Sequence, residues 1–260
     1  MLKKTLLIAL AAFLCMGAEA KKDNGNDNVE SEEWHVKVTL ESGDTITGYI
    51  RNDLKTGLKN LFSKGGLLRQ YINVGTEPKG GETHRYHAWE VKEYRFLEST
   101  EAYPEGAVCV SEMINAPKMF KPGNCMRGFV WQLDKRESGS VVRWEVYEST
   151  GGRNSVTRIV PAIGIKLKGA GAAYAVMMNG RFFDGYLMLY LKKTHPELRE
   201  AWNQYYHKGK DAKAHRKELT DNVSTALLFY EDFLRTHDPI NDSAVSEESA
   251  CEGSDPEEEK

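Results

Sequence analysis

Residues 155–191 read SVTRIVPAIGIKLKGAGAAYAVMMNGRFFDGYLMLYL, the most apolar part of the chain outside its first twenty residues. Two hairpin-type dipeptides, Asn179-Gly180 and Asp184-Gly185, punctuate it. Asn, Asp and Gly adopt the positive φ of a tight hairpin turn at least cost. The stretch therefore predicts the central strands of a sheet. One lies before Gly169, one spans Ala172–Met178, and one spans Tyr186–Leu191. Upstream segments are expected to join this sheet, and downstream segments to cover one of its faces.

Upstream, Trp34, Val36, Val38 and Leu40 alternate with His35, Lys37, Thr39 and Glu41. Ile46, Gly48 and Ile50 then alternate with Thr45, Thr47 and Tyr49. This predicts an antiparallel hairpin with one wet face. Only an odd loop keeps the apolar faces together. A three-residue loop, Ser42–Asp44, would set Leu40 opposite Ile46 and Val36 opposite Ile50. Further strands are expected at Leu67–Val74, Tyr86–Leu97 and around Val108–Met113, the last in a segment interrupted by Pro104, Pro117 and Pro122. Phe129, Trp131 and Leu133 alternate next, then Val142, Trp144 and Val146. Antiparallel pairing predicts the two tryptophans opposite or diagonal.

After Leu191 the apolar period lengthens to about 3.6 residues. Thr194 and Glu197 have capping-box spacing, and Pro196 fits a first turn. Leu198, Trp202 and Tyr205 share a face, and Gly209 is a stop. A second helix is expected from Asp211 to His237. Its stripe is Leu219, Val223, Ala226, Tyr230 and Phe233, widened by Leu227 and Leu234, and must be buried to be stable. The fold class is thus α+β: a multi-stranded antiparallel sheet, open to partial barrel closure, with two C-terminal helices packed on it.

The ends differ from the body. Lys3 and Lys4 precede an apolar run, Thr5–Gly17, that is shorter than the ~20 residues a membrane span needs. Ala18-Glu19-Ala20 completes the pattern of an export signal over residues 1–20. The residue before Cys15 is Leu14, where lipoprotein processing calls for a small side chain. Residues 21–33 read as an acidic disordered linker, 34–237 as the body with a sub-boundary near 100–125, and 238–260 as an acidic disordered tail. The whole chain carries −3. The leader contributes +1, the linker −3 and the tail −8, which leaves +7 on the body. No dense Lys/Arg block accompanies that charge, so nucleic acid is not an expected partner. No later run has the length and apolarity of a transmembrane helix. Of four cysteines, Cys15 leaves with the leader. Cys109 and Cys125 are either a disulfide or two buried thiols, and Cys251 is left over in both cases.

The run Gly43-Asp44-Thr45-Ile46-Thr47-Gly48-Tyr49-Ile50 resembles the opening hairpin of a broad group of exported Bacteroidota proteins of unknown function. Tyr86–Phe96 is similar to the Tyr-containing strand that follows in that group. Gly180–Leu191 is similar to its Gly-x-x-x-apolar strand leading into C-terminal helices. The Pro-interrupted middle, Lys118–Arg127, has no counterpart there. The resemblance implies a β-rich envelope or secreted protein and carries no activity. It also implies that Asp242-Ser243-Ala244 is an O-glycosylation acceptor, with Ser243 modified; Asp44-Thr45-Ile46 matches the same pattern within a tight hairpin.

Motifs for catalysis are missing. There is no Gly-x-Ser-x-Gly elbow, no His-Glu-x-x-His and no phosphate-binding loop. Gly169-Ala170-Gly171 precedes a strand rather than a helix, which argues against a dinucleotide site. His84 and His87, three apart on a strand, point to opposite faces and lack a third ligand. No metal and no cofactor are expected. Glu231-Asp232 reads as the wet side of a helix. Aromatics at the surface are the better lead for binding: Tyr49 on the polar face of the first hairpin, and the adjacent pair Tyr205 and Tyr206. Two readings follow. One is a non-catalytic binding or scaffold protein, periplasmic or extracellular, whose partner is an envelope protein or glycan. The other is a secreted hydrolase whose site is assembled from scattered carboxylates or histidines.

Overall fold

The alternation that begins at Trp34 continues into a sheet of eleven strands. A computed structural model describes residues 33–51, 70–78, 80–100, 103–118, 121–149 and 157–237. The strands are β1 (Glu33–Leu40), β2 (Thr45–Arg51), β3 (Tyr71–Glu77), β4 (Gly80–His87), β5 (Val91–Phe96), β6 (Val108–Lys118), β7 (Lys121–Arg136), β8 (Gly139–Ser149), β9 (Thr157–Leu167), β10 (Ala173–Met178) and β11 (Arg181–Phe182). Their spatial order is β11-β10-β9-β8-β7-β6-β5-β1-β2-β3-β4. Helices α1 (Gly185–Thr194), α2 (Pro196–Asn203), α3 (Ala212–Asp221) and α4 (Thr225–Thr236) follow, with a π-helical turn, Gln204–Lys208, between α2 and α3. The fold is α+β, as the periodicity predicts.

The first hairpin keeps its apolar faces together in a register two residues from the one expected. Trp34 faces Ile50 and Val38 faces Ile46. The loop is Glu41–Gly43, closed by Leu40 N–H donating to the Asp44 carbonyl at 2.8 Å. Gly43 takes φ +93°, a left-handed conformation that favours glycine at the loop's last position. The loop length is odd, as burial requires, but the glycine chooses which three residues form it.

Strands β6 and β7 are a wall with both faces buried. Cys109 pairs with Trp131, and Val110 pairs with Val130 one step along. The first pair packs with Trp34, Val36, Tyr94, Phe96 and Phe129 in the core under β1–β5. The second pair packs on the opposite face with Ile114, Val142, Trp144 and Ala162. The sheet therefore curls one way before the wall and the other way after it. Beyond the wall it closes. β10 pairs antiparallel with β9 and also, in parallel, with β6 through Ala173 opposite Ile114 and Tyr174 opposite Asn115. Strands β6 to β10 thus form a ring around the second core. Beside that short parallel contact, Lys166 of β9 reaches Glu112 of β6 at 2.6 Å.

The expected pairing of Trp131 with Trp144 does not occur. The hairpin starts with Arg136 opposite Gly139, and an unbroken ladder from there would bring the tryptophans together. A bulge between Gln132 and Asp134 slips the register by one, so Trp131 faces Arg143. One residue of slip reverses every face. Trp131 then lies against the first core, Trp144 fills the ring, and the Arg143 guanidinium stands 5.6 Å from the Trp131 ring centre.

The central stretch holds two long strands, β9 and β10, then the two-residue β11 and a helix where the third long strand was expected. Asn179 and Gly180 make the predicted turn, with φ +50° and +69°. Tyr186–Leu191, expected as a strand, lies in α1, which buries Leu187, Tyr190 and Leu191. Spacing of three and four suits a helix, but a run of six apolar residues also satisfies a strand buried on both sides. The capping box fails too. Thr194 ends α1, donating its hydroxyl to the Tyr190 carbonyl at 3.0 Å, and His195 occupies the N-cap of α2 with no side-chain cap bond. The expected helix Asp211–His237 is divided at Asn222–Ser224 into α3 and α4. There the Thr225 hydroxyl donates to the Asn222 carbonyl at 2.8 Å. The stripe survives the break: Leu219, Val223, Ala226, Tyr230 and Phe233 are all buried with Ile165, Tyr174 and Val176 of the sheet.

One polar junction fastens α4 to the β7–β8 turn. Arg136 bridges Asp134 at 3.0 Å and Glu231 at 3.3 Å, and the Ser138 hydroxyl donates to Glu231 at 2.7 Å. Burial pushes the Asp134 carboxyl up, but hydrogen bonds from Ser224 and Arg136, with the Arg136 charge, hold it below its ordinary value.

Two outcomes follow. A Cβ at Gly164 would stand 2.5 Å from both Trp144 Cη2 and the Tyr174 carbonyl oxygen, whereas one at Gly171 meets nothing within 4 Å. Gly164→Ala should cost ~2 kcal/mol or more in urea unfolding, and Gly171→Ala should be near neutral. For Asp134, a depressed folded pKa stabilises the protein above the unfolded value of about 3.9 and is lost as pH falls through the folded value. Asp134→Asn should therefore lower stability at pH 7 by about 1 kcal/mol. In unfolding titrations at decreasing pH, the gap to the parent should close below about pH 4.

Candidate functional site

Helices α2 to α4 and the π-turn line an open cavity of about 450 Å³. The π-turn shapes it. Gly209 N–H donates to the Gln204 carbonyl at 2.6 Å, five residues back. A Cβ at Gly209 would stand 2.6 Å from that same oxygen, so only glycine closes the turn. Such one-turn π segments recur at functional sites. Here the turn presents two successive tyrosines to different surroundings. Tyr206 is buried, packed at 4.4 Å from Trp202 and at 5.7 Å from Phe182. Tyr205 is half-buried and lies flat on His215, with ring centres 3.7 Å apart and planes 2° from parallel.

Phe229 of α4 completes the floor, 4.8 Å from Tyr205 and 5.6 Å from Tyr206. Phe233, stacked on His237 at 4.1 Å, forms the far wall. Glu218 and Asp232 contribute two carboxylates to the lining. Burial raises the Tyr205 hydroxyl pKa, and the Glu218 and Asp232 charges raise it further. Both imidazoles are anchored through Nδ1: His215 to the Tyr205 carbonyl at 3.0 Å, and His237 to the Phe233 carbonyl at 3.1 Å.

Beneath the floor lies a second cluster. Asp184 is buried at the N-cap of α1 but makes no side-chain cap bond there. Its Oδ2 instead accepts the Trp202 indole N–H at 2.7 Å and meets His207 Nε2 at 2.8 Å. The helix dipole favours a carboxylate at that end. One aspartate thus ties α1, α2 and the π-turn together, and His207 carries the connection to the surface, its side chain 36% exposed.

The sequence-derived candidates separate. Tyr205 and Tyr206 both line the cavity. Tyr49 lies away from it on the first hairpin, stacked on His35 at 4.7 Å. That same wet face carries Arg85 over Tyr71 at 4.4 Å and His87 stacked on Trp89 at 4.2 Å. Ser243 lies outside the described residues. A Cys109–Cys125 disulfide does not form. Cys109 pairs with Trp131 and Cys125 with Asn115 on adjacent strands. That places them six ladder positions, roughly 20 Å, apart, where a disulfide needs Cα atoms within about 7 Å. Cys109 is a buried thiol. Cys125 is disulfide-bonded; Cys15 and Cys251 lie outside the described residues. Among the described residues no group of three or more His, Cys, Asp or Glu is placed to hold a metal ion.

Glu218, Phe229, Asp232 and the Asp184–Trp202–His207 cluster escape a reading of the sequence. Part of the signal was there. Thr225, Phe229, Asp232 and Thr236 step by four, three and four along α4, a second stripe beside the buried one. Nothing local indicates that Asp184 meets Trp202 and His207, 18 and 23 residues away. Comparison with family models, with curated proteins and with solved structures gave no match.

Removing the Asp184 carboxylate strands a buried indole N–H, at a cost of about 1–3 kcal/mol. Asp184→Ala should lose that much in denaturant unfolding followed by tryptophan fluorescence. His207→Ala, which removes a half-exposed partner, should lose clearly less.

Proposed function

We propose that the protein is exported to the cell envelope and acts there as a non-catalytic binding protein, with the helical-layer cavity as its ligand site. The observation that carries this reading is the cavity itself. It joins an aromatic lining to two carboxylates carried on helices, the composition expected of a small-molecule site. Its histidines are stacked and hydrogen-bonded to main-chain carbonyls, which suits walls. Lys3 and Lys4, the apolar run Thr5–Gly17 and Ala18-Glu19-Ala20 support export.

One observation favours the second reading, a hydrolase. A buried carboxylate on one nitrogen of a half-exposed imidazole, as in Asp184–His207, is how a general base is oriented. No nucleophile is found beside it among the described residues.

Protein taken from the host's envelope fraction, with Lys21 as its first residue, is screened against a panel of cationic, anionic and neutral fragments by ligand-observed NMR. Hits are expected, and Leu228→Trp, which fills the cavity mouth, should abolish them. A panel without hits, or hits that persist in Leu228→Trp, overturns the cavity as the site. Turnover of a fluorogenic ester, glycoside or peptide that disappears in His207→Ala would establish the hydrolase instead.

A further inference from the structure

We infer that the cavity recognises a cation: an ammonium or guanidinium group seated on the aromatic floor between Glu218 and Asp232. This rests on the reading of the cavity as the ligand site and names the class of ligand it takes.

Three observations converge. First, the charge of the lining has one sign. Glu218 and Asp232 face the space, and its lining includes no lysine or arginine. Second, the floor is built of rings. Tyr205, Tyr206, Phe229 and Phe233 all line it, and an aromatic face attracts a cation through its quadrupole. Third, the two carboxylates act on one point. Glu218 of α3 and Asp232 of α4 both oppose ionisation of the same hydroxyl, that of Tyr205. Their field thus converges where the rings are. A cation there meets rings and carboxylates together, an anion meets repulsion, and a neutral ligand gains only contact area.

Of the cations already nearby, Arg216 is committed to a main-chain carbonyl and Arg235 to an exposed pair with Asp232 itself. Arg216 Nη1 donates to the Tyr206 carbonyl at 2.5 Å. Arg235 pairs with Asp232 at 3.1 Å on the outer surface of α4, where both side chains are at least 70% exposed. An exposed pair of that kind is weak and exchangeable, so a ligand can share or replace it. The cavity of about 450 Å³ has room for the body that carries the charge as well as the charged group. Two sources would present the same chemistry: a free ammonium compound, or a lysine or arginine side chain of a peptide.

The test compares choline with its neutral isostere 3,3-dimethylbutan-1-ol by NMR titration of the full chain. It includes Nα-acetyl-lysine amide and Nα-acetyl-arginine amide as peptide-like arms. At least one cation should bind tenfold or more tighter than the isostere. The Glu218→Gln/Asp232→Asn variant should bring that ratio near one. Both substituted side chains are exposed, so its thermal transition should match the parent's, which confirms that folding is retained. Preference for choline identifies a free ammonium compound, and preference for an amide identifies a peptide side chain. Equal binding of isostere and cations overturns the inference while leaving the cavity as a binding site. So does a ratio that survives the double substitution. Failure of every cation to bind overturns it as well, and the fragment panel then decides separately whether the cavity binds anything.

Discussion

The double-sided burial of β6 and β7 is the constraint on which the rest depends. A strand pair with one wet face can end a sheet; a pair with two greasy faces must be covered twice. Here one face receives the curl of β1 to β5 and the other the ring of β7 to β10. Closing the ring requires β10 to return beside β6. That return leaves the outer faces of β8, β9 and β10 with apolar side chains, Val141, Ile165 and Tyr174 among them, and the helices cover these. The helical layer, and hence the cavity, follows from the wall.

The helical layer is held by polar as well as apolar contacts, and these fix its orientation. Apolar burial is non-directional. The stripe along α3 and α4 would accept several angles against the sheet. Arg136 and Ser138 gripping Glu231 admit fewer, as does Asp184 gripping Trp202. Residues that a sequence reading assigns to solvent thereby become the screws of the assembly. Glu231 is the clearest case: it looks like the wet side of a helix, and it is only half-buried, yet it docks α4 on a hairpin 93 residues away. The cavity shares Tyr206 and Phe233 with the core and opens past Glu218, Leu228 and Asp232, which are exposed. Tyr205 packs on the edge of the core and is only half-buried, with its ring stacked on His215.

How far the sequence could be read follows from how many faces each element buries. The first hairpin, buried on one face, gave its strands and the parity of its loop. It did not give the register, because Gly43 rather than the apolar pattern chooses the turn. The stripe Leu219–Phe233 was legible for the same reason, down to the individual buried residues. Where a run is apolar throughout, or a strand is buried on both faces, the pattern is silent. Tyr186–Leu191 reads equally as a strand and as the helix it is. Trp131 and Trp144 read as partners, and a single bulge sends them to different cores. Of the candidate site, the adjacent tyrosines were found because two neighbours cannot share one environment; the carboxylates and imidazoles around them come from other turns of other helices.

The amino-acid sequence by itself determined the α+β class, the order of strands first and helices last, the strands of the first hairpin and the buried face of the last helices. These are local properties, set by a period of two or of 3.6 and by glycines that only one kind of turn accepts. Tertiary structure alone decided that the sheet curls in two directions around a shared wall and that its last long strand closes on β6. It also decided that Asp184 meets Trp202 and His207, and that Glu218 and Asp232 share the space before Tyr205. Each of these is a meeting of residues distant in the chain. Their energies depend on distance in space, and the pattern of a single segment does not contain it.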